Sequence, residues 1–214
     1  MTAEALQHLS GRCDIMRRLI LAHGPCTLVP DARRSPFEAL VRAVAHQQLN
    51  GTAAESILRR FRALFPARRF PNARELAAIS DDALRGCGFS RAKTAALRDI
   101  AEKTLSGIIP TSRAIGRLSD DVIIERLTQV RGVGRWTVEM LLIFKLGRPD
   151  VLPADDFGVR NGFRIAFGLA ELPRPKELLT YGERWRPHTT TAAWYLWRAA
   201  DAAREKKPLA GVNA

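Results

Sequence analysis

"LTQVRGVGRWTVEMLLIFKLGRPDVLPADDFGVRNGF" (residues 127–163) sets a glycine-punctuated turn directly before a very apolar segment. The stretch from Arg135 to Leu146 is apolar almost all round, which predicts a buried helix rather than a surface one. Gly147 and Pro149 stop it, and the chain then runs through Pro153 to two adjacent acids, Asp155 and Asp156, at the predicted start of another helix. One acid at a helix start is routinely a cap, a role that Asp155 fills; the second beside it has no such ready explanation. Gly132 and Gly134 carry no Cβ, so backbone N–H groups of the turn and of the next helix can face outward together, an anion-binding arrangement. A DNA phosphate suits it, because the contact is blind to base sequence and Arg131 and Arg135 flank it with positive charge. An isolated Gly-x-Gly is more often a simple helix-to-helix turn.

Working outward, helix signals dominate. "SPFEALVRAVAHQ" opens with Ser35 as N-cap, Pro36 at the first helical position and Glu38 completing a capping box, with Phe37, Leu40, Val41 and Val44 at helical spacing. After "QLNG" a second box, Thr52 to Glu55, predicts a helix burying Ile57, Leu58, Phe61 and Leu64 or Phe65, ended by Pro66. Asn72 with Glu75, Ser80 before two acids, and Ser90 mark further starts. No sustained period-two alternation points to a sheet. "ISDDALRGCGFSRAKTAAL" and "LSDDVIIERLTQVRGVGRWTVEMLL" echo each other as helix, Gly-x-Gly turn and helix, which suggests a fold built from antiparallel helix pairs. The first 34 residues are expected to hold one helix and a loop packing on the core, residues 35–205 the main domain with its hairpin at about 119–146, and residues 206–214 a polar tail.

Composition narrows the function. The chain has 214 residues, enough for one sizeable core or two small lobes sharing a cleft, and 34 Lys plus Arg against 22 Asp plus Glu leave a net charge of +12. A polyanion is the usual partner for such an excess, although an arginine-rich proteome leaves a similar imprint. Cys13, Cys26 and Cys87 are odd in number and widely spaced, and His8, His23, His46 and His188 are scattered; neither set has the spacing of a disulfide framework, a zinc site or an iron–sulfur cluster, so no metal and no cofactor is expected. No run approaches the ~18 consecutive apolar residues that span a bilayer, and the N-terminus lacks the order of a secretory signal. A cytoplasmic protein, nucleoid-associated if bacterial, is the expectation.

Taken in combination, these residues resemble a known family. "VRGVGRWTVEMLLIFKLGRPDVLPADDF" resembles the helix-hairpin-helix, Gly-Pro and aspartate signature of the DNA glycosylase superfamily, and "FEALVRAVAHQQLNG" and "YGERWRPHTTTAAWYLWR" resemble flanking segments of its DNA-3-methyladenine glycosylase II branch. The resemblance covers roughly residues 35 to 200. It implies an all-α, two-lobed fold with the active-site cleft between lobes, here without the N-terminal β domain of the best-known members, because too few residues precede Ser35. It implies a monofunctional, monomeric enzyme of base excision repair that binds double-stranded DNA, flips out alkylated purines (3-methyladenine, 7-methylguanine, ethenoadenine) and hydrolyses the N-glycosidic bond.

Position by position, the family's catalytic aspartate falls on Asp156, with Asp155 as neighbour, and its phosphate-anchoring hairpin on Arg131, Gly132, Val133, Gly134 and Arg135. Where bifunctional relatives carry a lysine that attacks the sugar, this chain has Trp136, so no imine and no strand cleavage are implied. Trp136 and Trp197 fall on pocket positions, with Phe157 and Trp194 or Tyr195 as further walls, and Met140 replaces a family aromatic one turn beyond Trp136. Gln47, Gln48, Leu49 and Asn50 fall on the loop that intercalates when a base is flipped, with Gln48 or Leu49 as the wedge; packing between helices is the alternative role for Leu49. The rival class is a non-catalytic helix-hairpin-helix DNA-binding module in which Asp156 is only a cap. A lyase-active oxidative-damage enzyme is disfavoured by Trp136 and by the missing cysteine cluster.

Overall fold

The structure, a computed structural model, describes residues 2–205; the tail expected at 206–214 lies outside the described residues. Among the described residues there are thirteen α-helices, one 3-10 turn and no strand. The described chain divides into two compact units, one formed by residues 2–30 with 147–205 and the other by the continuous segment 31–146.

The discontinuous unit begins with α1 (Ala3–Arg12) and α2 (Asp14–His23). These are two helices where the sequence predicts one, because Cys13 adopts an extended conformation (φ −156°, ψ 113°) that ends the first and caps the second. In the other unit, α3 (Pro36–His46) and α4 (Gly51–Ala63) flank the short segment 47–50, and α5 (Ala73–Ala78), α6 (Asp81–Gly86), α7 (Arg91–Leu105), α8 (Ser112–Ile115), α9 (Asp120–Leu127) and α10 (Arg135–Phe144) complete it. The chain returns to the first unit with α11 (Phe157–Phe167), α12 (Pro175–Gly182), the 3-10 turn (Glu183–Trp185) and α13 (Thr189–Glu205).

Local chemistry explains most of the boundaries. Asn72 and Glu75 form a full reciprocal capping box at α5, and Ser80, Ser90 and Ser119 each accept a first-turn N–H at α6, α7 and α9. Two predicted boxes are different. Ser35 accepts from the Glu38 N–H, but the Glu38 carboxylate holds Arg42 at 2.9 Å, one turn on. At α4 the N-cap is Asn50 rather than Thr52, and Glu55 faces His46 at 3.3 Å.

The 31–146 unit has a core of Leu40, Val41, Val44, Leu58, Phe61, Leu97, Ile100, Leu127, Val138 and Leu142, all buried. Leu64, offered by the sequence to this core, stays 38% exposed. The two echoing segments are both helical hairpins, α6 with α7 and α9 with α10. Their turns differ in detail: the positive-φ glycine is the second of the first pair, Gly88 (φ 104°), and the first of the second pair, Gly132 (φ 76°).

The discontinuous unit packs Leu9, Met16, Val159, Phe163, Trp185, Tyr195 and Leu196 into one cluster. Its tightest contact is α11 on α13, where a Cβ added at Gly162 would lie 1.8 Å from the Leu196 carbonyl oxygen. Tyr195 is fully buried and donates its hydroxyl to the Gly24 carbonyl at 2.8 Å, tying α13 to the end of α2. Burial, reinforced by the neighbouring Cys26, pushes its phenol up to about 12. A phenol raised in the folded state contributes stability that is whole below its ordinary value of 10.0 and is lost as pH rises toward about 12. Urea midpoints measured across that window are therefore expected to fall with pH, and to fall less steeply in Tyr195→Phe; equal slopes in the two proteins would refute the assignment.

Candidate active site and DNA-binding surface

The hairpin turn in the 31–146 unit is built by one inward and several outward residues. Val133 is buried, with its N–H donating to the Val130 carbonyl at 3.0 Å, while Arg131, Gly132, Gly134 and Arg135 are exposed around it. The left-handed backbone at Gly132 suits glycine, and α10 starts at Gly134 without a side-chain cap. The first turn of α10 is thus left to partners other than a capping side chain, as an anion site requires. Arg135 holds the buried Glu139 at 3.0 Å, so its charge is partly compensated.

The turn is braced from α7. Asp99 accepts the Arg131 N–H at 2.6 Å and is held in turn by Lys103 at 2.7 Å. Burial opposes ionisation of this carboxyl, but the Lys103 ammonium and the Arg131 N–H outweigh it and keep Asp99 below the usual carboxylate range. This brace is not visible in sequence, since Asp99 and Arg131 lie 32 residues apart.

Residues 47–50 form the short exposed segment between α3 and α4. Gln48 takes a left-handed backbone (φ 56°), the only non-glycine residue among those described to do so, and Leu49 is 40% exposed. Leu49 therefore keeps a good part of its side chain in solvent, with the rest covered by the protein. Asn50 spends its side-chain oxygen on the Ala53 N–H, and Gln47 donates its amide to the Gly132 carbonyl at 2.8 Å.

On the same unit Trp136 is 46% exposed, although most of the α10 residues that follow it are buried. With Met140, His46, Gln48 and neighbours it lines a cavity of about 430 Å³.

In the discontinuous unit, the approach to the two acids is tightly specified. Thr190 donates to the Arg148 carbonyl at 2.7 Å and accepts the Val151 N–H at 3.0 Å. Asp150 accepts from Thr189 Oγ1 and from Arg186, both at 2.9 Å. The Asp156 N–H then donates to the Pro153 carbonyl at 3.0 Å, and this turn makes Asp156, not Asp155, the N-cap of α11. Asp156 Oδ1 accepts the Val159 N–H at 2.8 Å and the indole Nε1–H of Trp197 at 2.8 Å. Asp155 is exposed in the turn, and Phe157 beside it is 68% exposed. The indole comes this close because residue 158 is glycine: a Cβ there would meet Trp197 Cδ1 at 2.9 Å and Asp156 Oδ1 at 3.1 Å. Trp185, Trp194 and Tyr195 are core residues of this unit, which removes Trp194 and Tyr195 as pocket walls.

The first unit thus offers a half-buried carboxylate fixed by two donors, and the second an exposed glycine-containing turn. No helix among the described residues is long and apolar enough to cross a membrane.

Comparison with known proteins agrees with this geometry. The chain is 44% identical over 205 residues to DNA-3-methyladenine glycosylase 1 of Schizosaccharomyces pombe, covering 94% of this chain and 89% of that protein. Its structure is similar to that of an S. pombe 3-methyladenine DNA glycosylase in complex with abasic DNA (TM-score 0.84, 43% identity, 96% of this chain and 100% of the other). It is also similar to a DNA-3-methyladenine glycosidase from Bacillus halodurans (TM-score 0.85, 31% identity, 94% and 91% coverage). The family model described as HhH-GPD superfamily base excision DNA repair protein matches residues 41–187, and the chain, all-helical among its described residues, belongs to that superfamily.

Proposed function

We propose that this protein is a monofunctional DNA glycosylase that removes alkylated purines from double-stranded DNA by hydrolysis, with Asp156 as the catalytic residue. The observation that carries the reading is the Trp197 to Asp156 hydrogen bond of 2.8 Å. A helix cap needs the Val159 N–H and nothing more; a tryptophan ring spent on the same oxygen fixes where the carboxylate points.

Loss of a purine from deoxyribose builds positive charge on the sugar ring, and an ionised Asp156 stabilises that charge and orients the attacking water. The C1′–N bond breaks, water supplies the hydroxyl at C1′ and releases a proton, and an already cationic alkylated purine departs as a neutral base without a general acid. Trp136 places an indole, not an amine, where bifunctional relatives have their lysine, so no covalent imine forms and the strand is left intact. Its exposed ring offers a π face that attracts a cationic methylated purine, and Met140 in place of an aromatic leaves the same cavity wall softer and more adaptable. The turn at Arg131 to Arg135 grips phosphate through backbone N–H groups other than those of Arg131 and Val133, which are spent within the protein, and Gln48 and Leu49 fill the gap left by the flipped base. The enzyme acts as a monomer where the DNA lies, in the cytoplasm and at the nucleoid in a bacterial cell.

The test is a labelled duplex carrying one 7-methylguanine, resolved with and without alkali after incubation with the protein. Cleavage seen only after alkali is the expected result. Cleavage without alkali would mean a lyase, and intact strands in both lanes despite tight binding would favour the binding-module reading.

A further inference from the structure

The segment 47–50 and the hairpin turn are tied to each other and to one helix. Gln47 Nε2 donates to the Gly132 carbonyl at 2.8 Å, a side-chain bond across 85 residues to the turn that offers its backbone to phosphate. Lys93 Nζ donates to the carbonyls of Ala45 and Gln47 at 2.9 and 2.8 Å, satisfying carbonyls at the C-terminal end of α3. Asp99 holds the Arg131 N–H, and a Cβ at Gly132 would rest 3.4 Å from the Ala96 Cβ. Lys93, Ala96 and Asp99 recur at every third residue of α7, so a single stripe of that helix supports both elements. Gln48, between these anchors, holds a backbone conformation that side chains disfavour, which persists only where the surroundings over-determine it.

We infer that Gln47 is a positioning residue that locks the intercalating segment to the phosphate-gripping turn, so that gripping the backbone sets the register at which Gln48 and Leu49 enter the stack. This rests on the glycosylase reading and deepens it: within the four-residue loop, Gln47 and Asn50 have their side chains engaged by the protein, and only Gln48 and Leu49 are left to act on DNA. The coupling matters when the lesion is stacked and paired and must be driven out; it matters little when the base is already extrahelical.

The test uses Gln47→Glu, which keeps the shape but sets a carboxylate against the Gly132 carbonyl, and Gln47→Leu, which removes the donor. Single-turnover release of 7-methylguanine from a paired duplex is expected to fall about tenfold in either variant, as befits one lost hydrogen bond. Release of the same base from a single-nucleotide bulge is expected to fall less than about threefold. In a second arm, 2-aminopurine opposite an abasic-site analogue reports stacking: its fluorescence rise on binding should be diminished in both variants, at an affinity within about threefold of wild type. Equal losses on paired and bulged substrates, or no loss on either, would overturn the proposal. Should the wild-type protein release no base at all, the glycosylase reading fails, and the 2-aminopurine arm alone decides the coupling: a rise unchanged by the substitutions overturns it.

Discussion

Asp156→Asn is expected to lower single-turnover base release by about 1,000-fold, equivalent to about 4 kcal/mol of transition-state stabilisation. The variant isolates charge from structure unusually well. Asparagine is as good an N-cap as aspartate, and its side-chain oxygen can still accept from the Val159 N–H and from Trp197, so α11 and the indole stay in place. Only the negative charge that would face the sugar disappears. Thermal midpoint should change by no more than about 2 °C, and affinity for a duplex with an abasic-site analogue should hold within about threefold. Both controls are needed, because a carboxylate that caps a helix and touches a ring is also a stability element. Base release at the wild-type rate would sink the catalytic assignment and return Asp156 to the capping role of a DNA-binding module.

Gly162→Ala is expected to cost about 3 kcal/mol of stability or more, read as a shift in the urea midpoint. The added methyl would stand 1.8 Å from the Leu196 carbonyl oxygen and 2.5 Å from its carbon. Both are backbone atoms of α13, so no rotamer change relieves the overlap and the two helices must part. The same substitution at Gly86, in α6 with nothing within 4 Å of its added Cβ, provides the contrast: there alanine is expected to be neutral or to stabilise by about 0.5 kcal/mol. A Gly162→Ala protein as stable as wild type would refute the close approach. Separation of α11 from α13 would also carry Asp156 away from Trp197, since one lies at the start of α11 and the other on α13.

What could be read from the chain in advance follows from the range of the forces involved. Caps act within a turn, so Asn72, Ser80, Ser90 and Ser119 announce their helices, and Gly132 with Gly134 announces the hairpin. Local sequence puts the cap on Asp155 whereas it falls on Asp156, because the choice lies in a turn closed by the Pro153 carbonyl, a matter of one residue of register. The break at Cys13 escaped for a similar reason: a single extended residue interrupts a helical pattern that is amphipathic on both sides, with no proline to mark it. The family resemblance named Asp156 and Trp197 separately, but Gly158 enters only once the ring of residue 197 is in place. Glycines that exist to admit a partner, as at 158 and 162, have no local signature, because the partner lies far along the chain.

The two segments that make up the discontinuous unit have a bearing on how the chain acquires its shape. Tyr195 and Gly24 meet across 171 residues, as Tyr181 and Cys13 do across 168. During synthesis the intervening 31–146 segment holds all of its own core partners before α13 has been made, whereas α1 and α2 must wait for theirs. A prior collapse of that segment shortens the effective loop the two end segments have to close, so its stability sets the entropy cost of assembling the surroundings of Asp156.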